Sequence, residues 1–318
     1  MKQKTMRAAA LLLALVLSAG VAATPVLAAA PSKTASGASF AEENGVVTIR
    51  LTAEGDLTYG SPFTLKVTTN PEDAQYIGVV LGVGGEGKGY VTLILSDKIR
   101  TLLKMIPLPR KMSATPDQVE EFNVYAYIKQ LIDGHDVDVL LRVADEVANV
   151  MDTLTFYIPT LEDISRGLKL ALELIRRFLP EDAITAIYLD EQPTLSGNYV
   201  GGAIALESSD MNTAGVAMFK IKPKSEGVRM YWASDAPETM TLAEAQAFNN
   251  TAVLESDGQI IPEAKISYTY KKADSGFLSD LFGTTISGFP TEPGSYIQTA
   301  TVSGNYSCSK ISRNITIE

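Results

Sequence analysis

The chain of 318 residues holds a single cysteine, a single histidine and a single tryptophan, and each scarcity closes off a class of chemistry. Cys308 alone rules out an internal disulfide framework and leaves no thiolate cluster for zinc. With His135 alone, a zinc site is short of its usual imidazoles. A serine triad would have to use that one ring, and no G-x-S-x-G elbow presents a nucleophile to it. No apolar run approaches the roughly 20 residues that a membrane-crossing helix needs. Basic charge is also short, with 27 Lys and Arg against 37 Asp and Glu and a net charge of −10. An acidic surface repels nucleic-acid phosphate, so no nucleic-acid partner is expected. The apolar content of 46% is nonetheless ample for packed cores. A chain of this length exceeds what one core usually serves, which favours two domains.

The amino terminus is the strongest local signal. Lys2, Lys4 and Arg7 form a positive region ahead of the apolar run Ala8–Leu17. Ser18, Gly20 and Pro25 then break the helix before Val26-Leu27-Ala28, a small-residue cleavage pattern. Residues 1–28 are therefore expected to be a signal peptide, giving a secreted or cell-surface-associated protein with no transmembrane segment in the mature chain. Their removal takes away three basic residues and no acid, so the mature chain is more acidic still. Residues 29–39, rich in Ser and Ala, are expected to form a disordered leader.

β-Branched density over Val46–Leu51, alternation over Phe63–Thr68 and the runs Tyr76–Leu81 and Tyr90–Leu95 on either side of a glycine cluster then predict strands, separated by turn signals at Gly60-Ser61-Pro62 and Asn70-Pro71. The pattern changes at Thr115-Pro116-Asp117-Gln118, a capping box that opens a helix to about Ile132. A second helical period runs from Val137 to Met151. A third starts at Thr160 and ends at Pro180, with Leu161, Ile164, Leu168, Leu172, Ile175 and Leu179 on one stripe. Strands return at Ile184–Leu189, Tyr199–Leu206 and Ala214–Ile221. A second β-region follows the linker candidate Pro223–Gly227, with strands at Val228–Ala233, Ala252–Glu255, Ile266–Tyr270, Ile297–Val302 and Ile311–Ile317. Thr241-Leu242-Ala243-Glu244 offers a further capping box.

An internal echo links the two regions. Pro193-Thr194-Leu195-Ser196-Gly197-Asn198-Tyr199 and Pro290-Thr291-Glu292-Pro293-Gly294-Ser295-Tyr296 share the form P-T-x-x-G-[NS]-Y, and each is followed by a closing strand pair. Pro and Gly shape the turn, and Tyr anchors the start of the strand. The block from Pro290 to Tyr296, with Ala300–Tyr306 and Ile315-Thr316-Ile317, resembles the closing strands of bacterial Ig-like repeats in secreted and surface proteins of Gram-positive bacteria. Leu57-Thr58-Tyr59-Gly60-Ser61-Pro62-Phe63 resembles the opening turn of those repeats. The resemblance implies stalk, spacer or adhesion modules and supplies no catalytic residue. The helical segment departs from the repeat plan.

Four stretches invite a chemical reading. Gly82-Val83-Gly84-Gly85-Glu86-Gly87-Lys88-Gly89 satisfies G-x-G-x-x-G and part of a phosphate loop. Both motifs need a helix after the glycines, where free amides hold the anion. A strand-like run follows instead, so a hairpin is expected. Asp133-Gly134-His135-Asp136-Val137-Asp138 gathers three acids, but its glycine stands at the wrong place for a calcium loop, and a connection between helices explains the same residues. Lys98, Arg100, Lys104, Arg110 and Lys111 make a basic patch that could meet anionic polymers or headgroups, against the plainer reading of a solvated link. Tyr231-Trp232 could stack a sugar or plug an interface.

The expected fold is mainly β with an α insert. Residues 40–224 form one immunoglobulin-like sandwich carrying a three-helix insertion over about 99–183, and residues 228–318 form a second. The expected function is surface interaction, adhesion or extracellular assembly without catalysis, cofactor or metal, toward an extracellular protein or glycan. A carbohydrate-active or carbohydrate-binding protein is one alternative, and a structural spacer is another.

Overall fold

The computed structural model describes residues 34–36, 48–106, 123–133, 183–206, 214–237, 239–247, 251–273, 285–286 and 288–318, together with Gly167, Ala171 and Ile175. Most of these residues are in strands, arranged in several sheets with few helices. Packing separates the chain into two units. The first runs to Leu57 and resumes over Ser61–Ile221, and the second takes Thr58–Gly60 with Lys222–Glu318.

The first unit is built on a five-stranded sheet. Its strands are β4 (Tyr76–Gly85), β5 (Tyr90–Leu95), β6 (Ala186–Leu189), β7 (Gly197–Ala205) and β8 (Ala214–Ile221), in the order β6-β5-β4-β7-β8. All neighbours are antiparallel except β5 and β6. A parallel neighbour cannot be reached by a tight turn and needs a long crossover, usually helical. Here the crossover contains α1 (Asp97–Met105), α2 (Val124–Ile132) and the helical positions Gly167, Ala171 and Ile175. A three-stranded antiparallel sheet, β1 (Thr34–Ser36), β2 (Thr48–Gly55) and β3 (Phe63–Asn70), completes the unit.

Period-two alternation splits the five-stranded sheet into two cores. Ile77 and Leu81 of β4, Val91, Leu93 and Leu95 of β5, and Ile187 and Leu189 of β6 face the helices. There they meet Ile99 and Leu103 of α1, Val124, Ile128 and Ile132 of α2, and Ala171 and Ile175. Val80, Tyr199, Ala217, Phe219 and Ile221 face the other way, onto Leu51 and Ala53 of β2. Burial on both faces explains why β4 and β5 read as nearly continuous apolar runs. Each buried Val, Leu, Ile or Phe among them contributes about 1.5–3 kcal/mol.

Local sequence sets the helix starts. The Asn123 side chain accepts from Ala126 N at 2.9 Å and caps α2, which ends at Ile132, where the expected helix ended. The expected capping box at Thr115–Gln118 and the helix at 137–151 lie outside the described residues. α1 begins at Asp97, two residues before the expected helical segment. It places Asp97 in its first turn and Lys104 in its last, as the helix dipole favours. Thr34–Ser36, inside the expected disordered leader, pairs with Thr52–Glu54 of β2.

The second unit has two sheets. One is β9 (Val228–Trp232), β10 (Ala252–Ser256) and β11 (Gln259–Ile260). The other follows the order β13-β12-β14-β15, from β12 (Lys265–Lys272), β13 (Thr285–Ile286), β14 (Gly294–Ser303) and β15 (Ile311–Ile317). The short helix α3 (Leu242–Ala247) carries the expected capping box, with Thr241 N donating to Glu244 Oε2 at 2.8 Å and Glu244 N to Thr241 Oγ1 at 3.3 Å. The linker candidate Pro223–Gly227 is tied into this unit. Lys224 N donates to Asn305 O, Lys224 O accepts from Ser307 N, and the ammonium pairs with Asp257.

The two units share a plan. Each has an antiparallel strand pair in one sheet, β2-β3 or β9-β10. Each then has four strands in matching order, β5-β4-β7-β8 and β13-β12-β14-β15. The sequence echo marks the same place in both. Gly197 opens β7 opposite Ile221, and Gly294 opens β14 opposite Ile317. Two residues later the tyrosine hydroxyl reaches back four residues, Tyr199 Oη to Leu195 O at 2.7 Å and Tyr296 Oη to Glu292 O at 2.9 Å.

Candidate functional site

The glycine-rich stretch Gly82–Gly89 ends β4, turns, and leads directly into β5. Its amides are engaged: Gly87 N donates to Ser196 O, Lys88 N to Gly85 O, Gly89 N to Gly82 O and Tyr90 N to Gly87 O, at 3.0–3.3 Å. A side chain at Gly87 would lie 2.0 Å from the Tyr199 hydroxyl, and one at Gly82 would lie 1.7 Å from the Gly87 carbonyl oxygen. The glycines thus let one turn pack against the corner that opens β7.

A groove of about 300 Å³ lies on the face of β4, β5 and β6 that points away from the helices. Its floor is Val80, Tyr90, Thr92 and Tyr188. These positions alternate with the apolar residues that face the helices, so the same alternation that fills the core also builds the floor. Thr92 pairs with Tyr188 and Tyr90 with Ala186, which makes the two tyrosines diagonal neighbours on one face. Their rings are parallel, with centroids 6.3 Å apart. Pro193, Leu195 and Tyr199 form a wall, and the exposed residues Glu191, Gln192 and Thr194 form the rim. Burial pushes the Tyr188 and Tyr199 phenols above their ordinary range.

A charged network behind the groove fixes its rim. Asp190 sits at the end of β6 with φ of +56°, a conformation Asp tolerates better than most residues. Its carboxylate accepts from Leu95 N at 2.8 Å, from Arg100 Nε at 2.9 Å and Nη2 at 3.1 Å, and from Tyr125 Oη at 3.0 Å. These bonds hold the Arg100 guanidinium above its usual range. Beside them, Lys129 Nζ reaches Glu191 at 2.8 Å and Leu189 O at 3.0 Å, while Leu189 N donates to Asp133 Oδ1 at 2.8 Å. Burial opposes the Lys129 charge, but Asp133 and Glu191 outweigh it and raise its pKa. Asp133, read from sequence as part of a helix connection, is therefore a clamp on the last residue of β6. Asp136 and Asp138 lie outside the described residues, as does His135.

The residues expected to form an interaction surface lie on separate elements. Lys98, Arg100 and Lys104 lie on α1, and each has its own partner. Lys98 pairs with Asp73 at 2.9 Å, Arg100 is drawn onto Asp190, and Lys104 lies 4.9 Å above the Tyr125 ring. Arg110 and Lys111 lie outside the described residues. Tyr231 and Trp232 are successive strand residues, so they point to opposite faces. Tyr231 is exposed, while Trp232 packs between the Tyr268 ring and the Arg313 guanidinium, 3.8 Å from its ring. The groove residues escaped the sequence reading. Tyr90 and Tyr188 do interrupt apolar runs at alternating positions, but nothing local shows that β5 and β6 are neighbours.

Among the described residues, no group of three or more His, Cys, Asp and Glu is placed to hold a metal ion. No described helix is long and apolar enough to cross a membrane. Compared with family models, with curated proteins and with solved structures, the chain matches none.

Proposed function

We propose that this chain is a non-enzymatic exported protein whose two immunoglobulin-like sandwich modules act in interaction, adhesion or assembly at or beyond the cell surface. The observation that carries this reading is the repeated plan of the two units, with matching strand order and the same tyrosine corner. A tyrosine hydroxyl bonded back to the backbone at such a corner is a hallmark of immunoglobulin-like sandwiches. The helices between β5 and β6 are then an insertion into the first module. The parallel β5–β6 pair supports this, because an all-antiparallel sandwich has no need of a crossover.

A carbohydrate-active enzyme is the rival reading. Paired-carboxylate hydrolysis sets two acids about 5–10 Å apart around the scissile bond. Among the described residues, one carboxylate lines the groove, Glu191, and Lys129 already pairs with it. Asp190 is committed to Arg100. This arrangement favours binding without turnover. Residues 1–28 then serve as the export signal. Expression of the full chain in a Gram-positive host should yield mature protein outside the cell membrane, starting at Ala29 by mass spectrometry. Recovery solely from detergent-solubilised membrane, with residues 1–28 intact, would refute export and release.

A further inference from the structure

We propose that the groove over β4, β5 and β6 binds one neutral pyranose residue, stacked on Tyr90 and Tyr188 and hydrogen-bonded by Glu191, Gln192 and Thr194. The proposal rests on the binding reading above and names its ligand class.

A pyranose ring has two chemically distinct parts. Its faces carry C–H groups that lie well on an aromatic ring, and its edge carries hydroxyls that both give and accept hydrogen bonds. The groove offers the complement of each. Two parallel rings, partly exposed on one face of a sheet, offer aromatic surface to the C–H groups. The rim supplies an acceptor in Glu191 and groups that donate and accept in Gln192 and Thr194. The Tyr188 hydroxyl adds a further donor.

Charge and size narrow the ligand. Lys129, 2.8 Å from Glu191, balances the rim's negative charge, so the site favours an uncharged ligand. A cation would compete with Lys129, and an anion would meet the carboxylate. A volume of about 300 Å³ is at the lower end for ligand sites, which suits one ring better than a chain of them. A peptide added as a strand is disfavoured beside the groove. The N–H and C=O of Leu189, the last residue of the edge strand β6, are already occupied by Asp133 and Lys129.

The test is titration of the full chain, by calorimetry and saturation-transfer NMR, with methyl β-glucopyranoside, methyl α-mannopyranoside, N-acetylglucosamine, glucuronate and a polyproline peptide. At least one neutral sugar should bind with a Kd of about 1–10 mM. Tyr188→Ala and Tyr90→Ala should each weaken it at least about tenfold, and Tyr188→Phe should stay within about threefold. Should the alanine variants misfold, the double variant Gln192→Ala/Thr194→Ala changes exposed residues alone and should weaken binding about fivefold. Binding of glucuronate or the peptide but no neutral sugar overturns the proposal. So does silence from every probe at about 50 mM, or affinity unchanged in folded Tyr188→Ala or in the double variant. A chain that binds no sugar yet is recovered, processed, outside the cell would sink the ligand assignment and leave the export reading standing.

Discussion

Asp190 concentrates more bonding than any other groove-side residue. Its carboxylate joins the end of β5, the guanidinium of α1 and the phenol of α2, while its backbone holds a positive φ. Removing this buried carboxylate strands the Leu95 amide and the Tyr125 hydroxyl and leaves Arg100 with Asp97 alone at 2.7 Å, and alanine also tolerates this backbone poorly. Asp190→Ala should therefore cost about 3 kcal/mol by chemical denaturation. Asp190→Asn, which keeps the conformation and some of the hydrogen bonds, should cost about half that. Equal losses in the two variants would mean that the lost charge accounts for the whole effect, with no share left for the backbone conformation or the neutral hydrogen bonds. Such a residue was hidden in the sequence. Asp190 is one acid among 37 acidic residues, and its partners come from segments far along the chain.

At the scale of elements, alternation and turn chemistry carried the reading far. β3 falls where alternating residues place it, β4 and β5 fall on the runs that flank the glycine cluster, and the Thr241 capping box opens a helix as its residues require. β11 and β13 went unread because two residues are too few to show a period, and α1 because a nine-residue helix beginning directly after a strand gives little warning. The repeated corner was legible as a motif, but its hydrogen bond was not. Tyr199→Phe should strand the Leu195 carbonyl, and Tyr296→Phe the Glu292 carbonyl, at about 1–3 kcal/mol each. Hydrogen exchange should then quicken in β7 and β8 for the first variant and in β14 and β15 for the second. Unchanged protection in those strands would strip the corner of its structural role.

For the whole molecule, composition spoke to chemistry more than to geometry. One histidine and one cysteine narrowed the reactions available, whereas the groove depends on strands paired across a long crossover, which no count of residues reveals. The tyrosines give the molecule a common response to pH. Tyr76, Tyr125, Tyr188, Tyr199, Tyr270 and Tyr306 all have raised pKa values, in each case chiefly through burial, and Tyr125 is pushed up to about 12. Above about pH 10 the unfolded chain releases phenolic protons that the folded chain retains. Stability is therefore full below pH 10 and falls as pH rises toward 12 and beyond. Urea midpoints at pH 9, 10.5 and 11.5 should decline in that order, and Tyr125→Phe should make the decline shallower. A midpoint that held or rose with pH would contradict the assignment.

The route from β5 to β6 also orders events in time. The β4–β5 hairpin closes over a few residues and needs nothing distant, whereas β6 can take its place beside β5 only after the intervening helices have found their side of the sheet. The floor of the groove is consequently a late product of assembly. A chain arrested halfway would show Tyr90 on a finished hairpin with no second ring beside it, secondary structure in place and the pocket still missing.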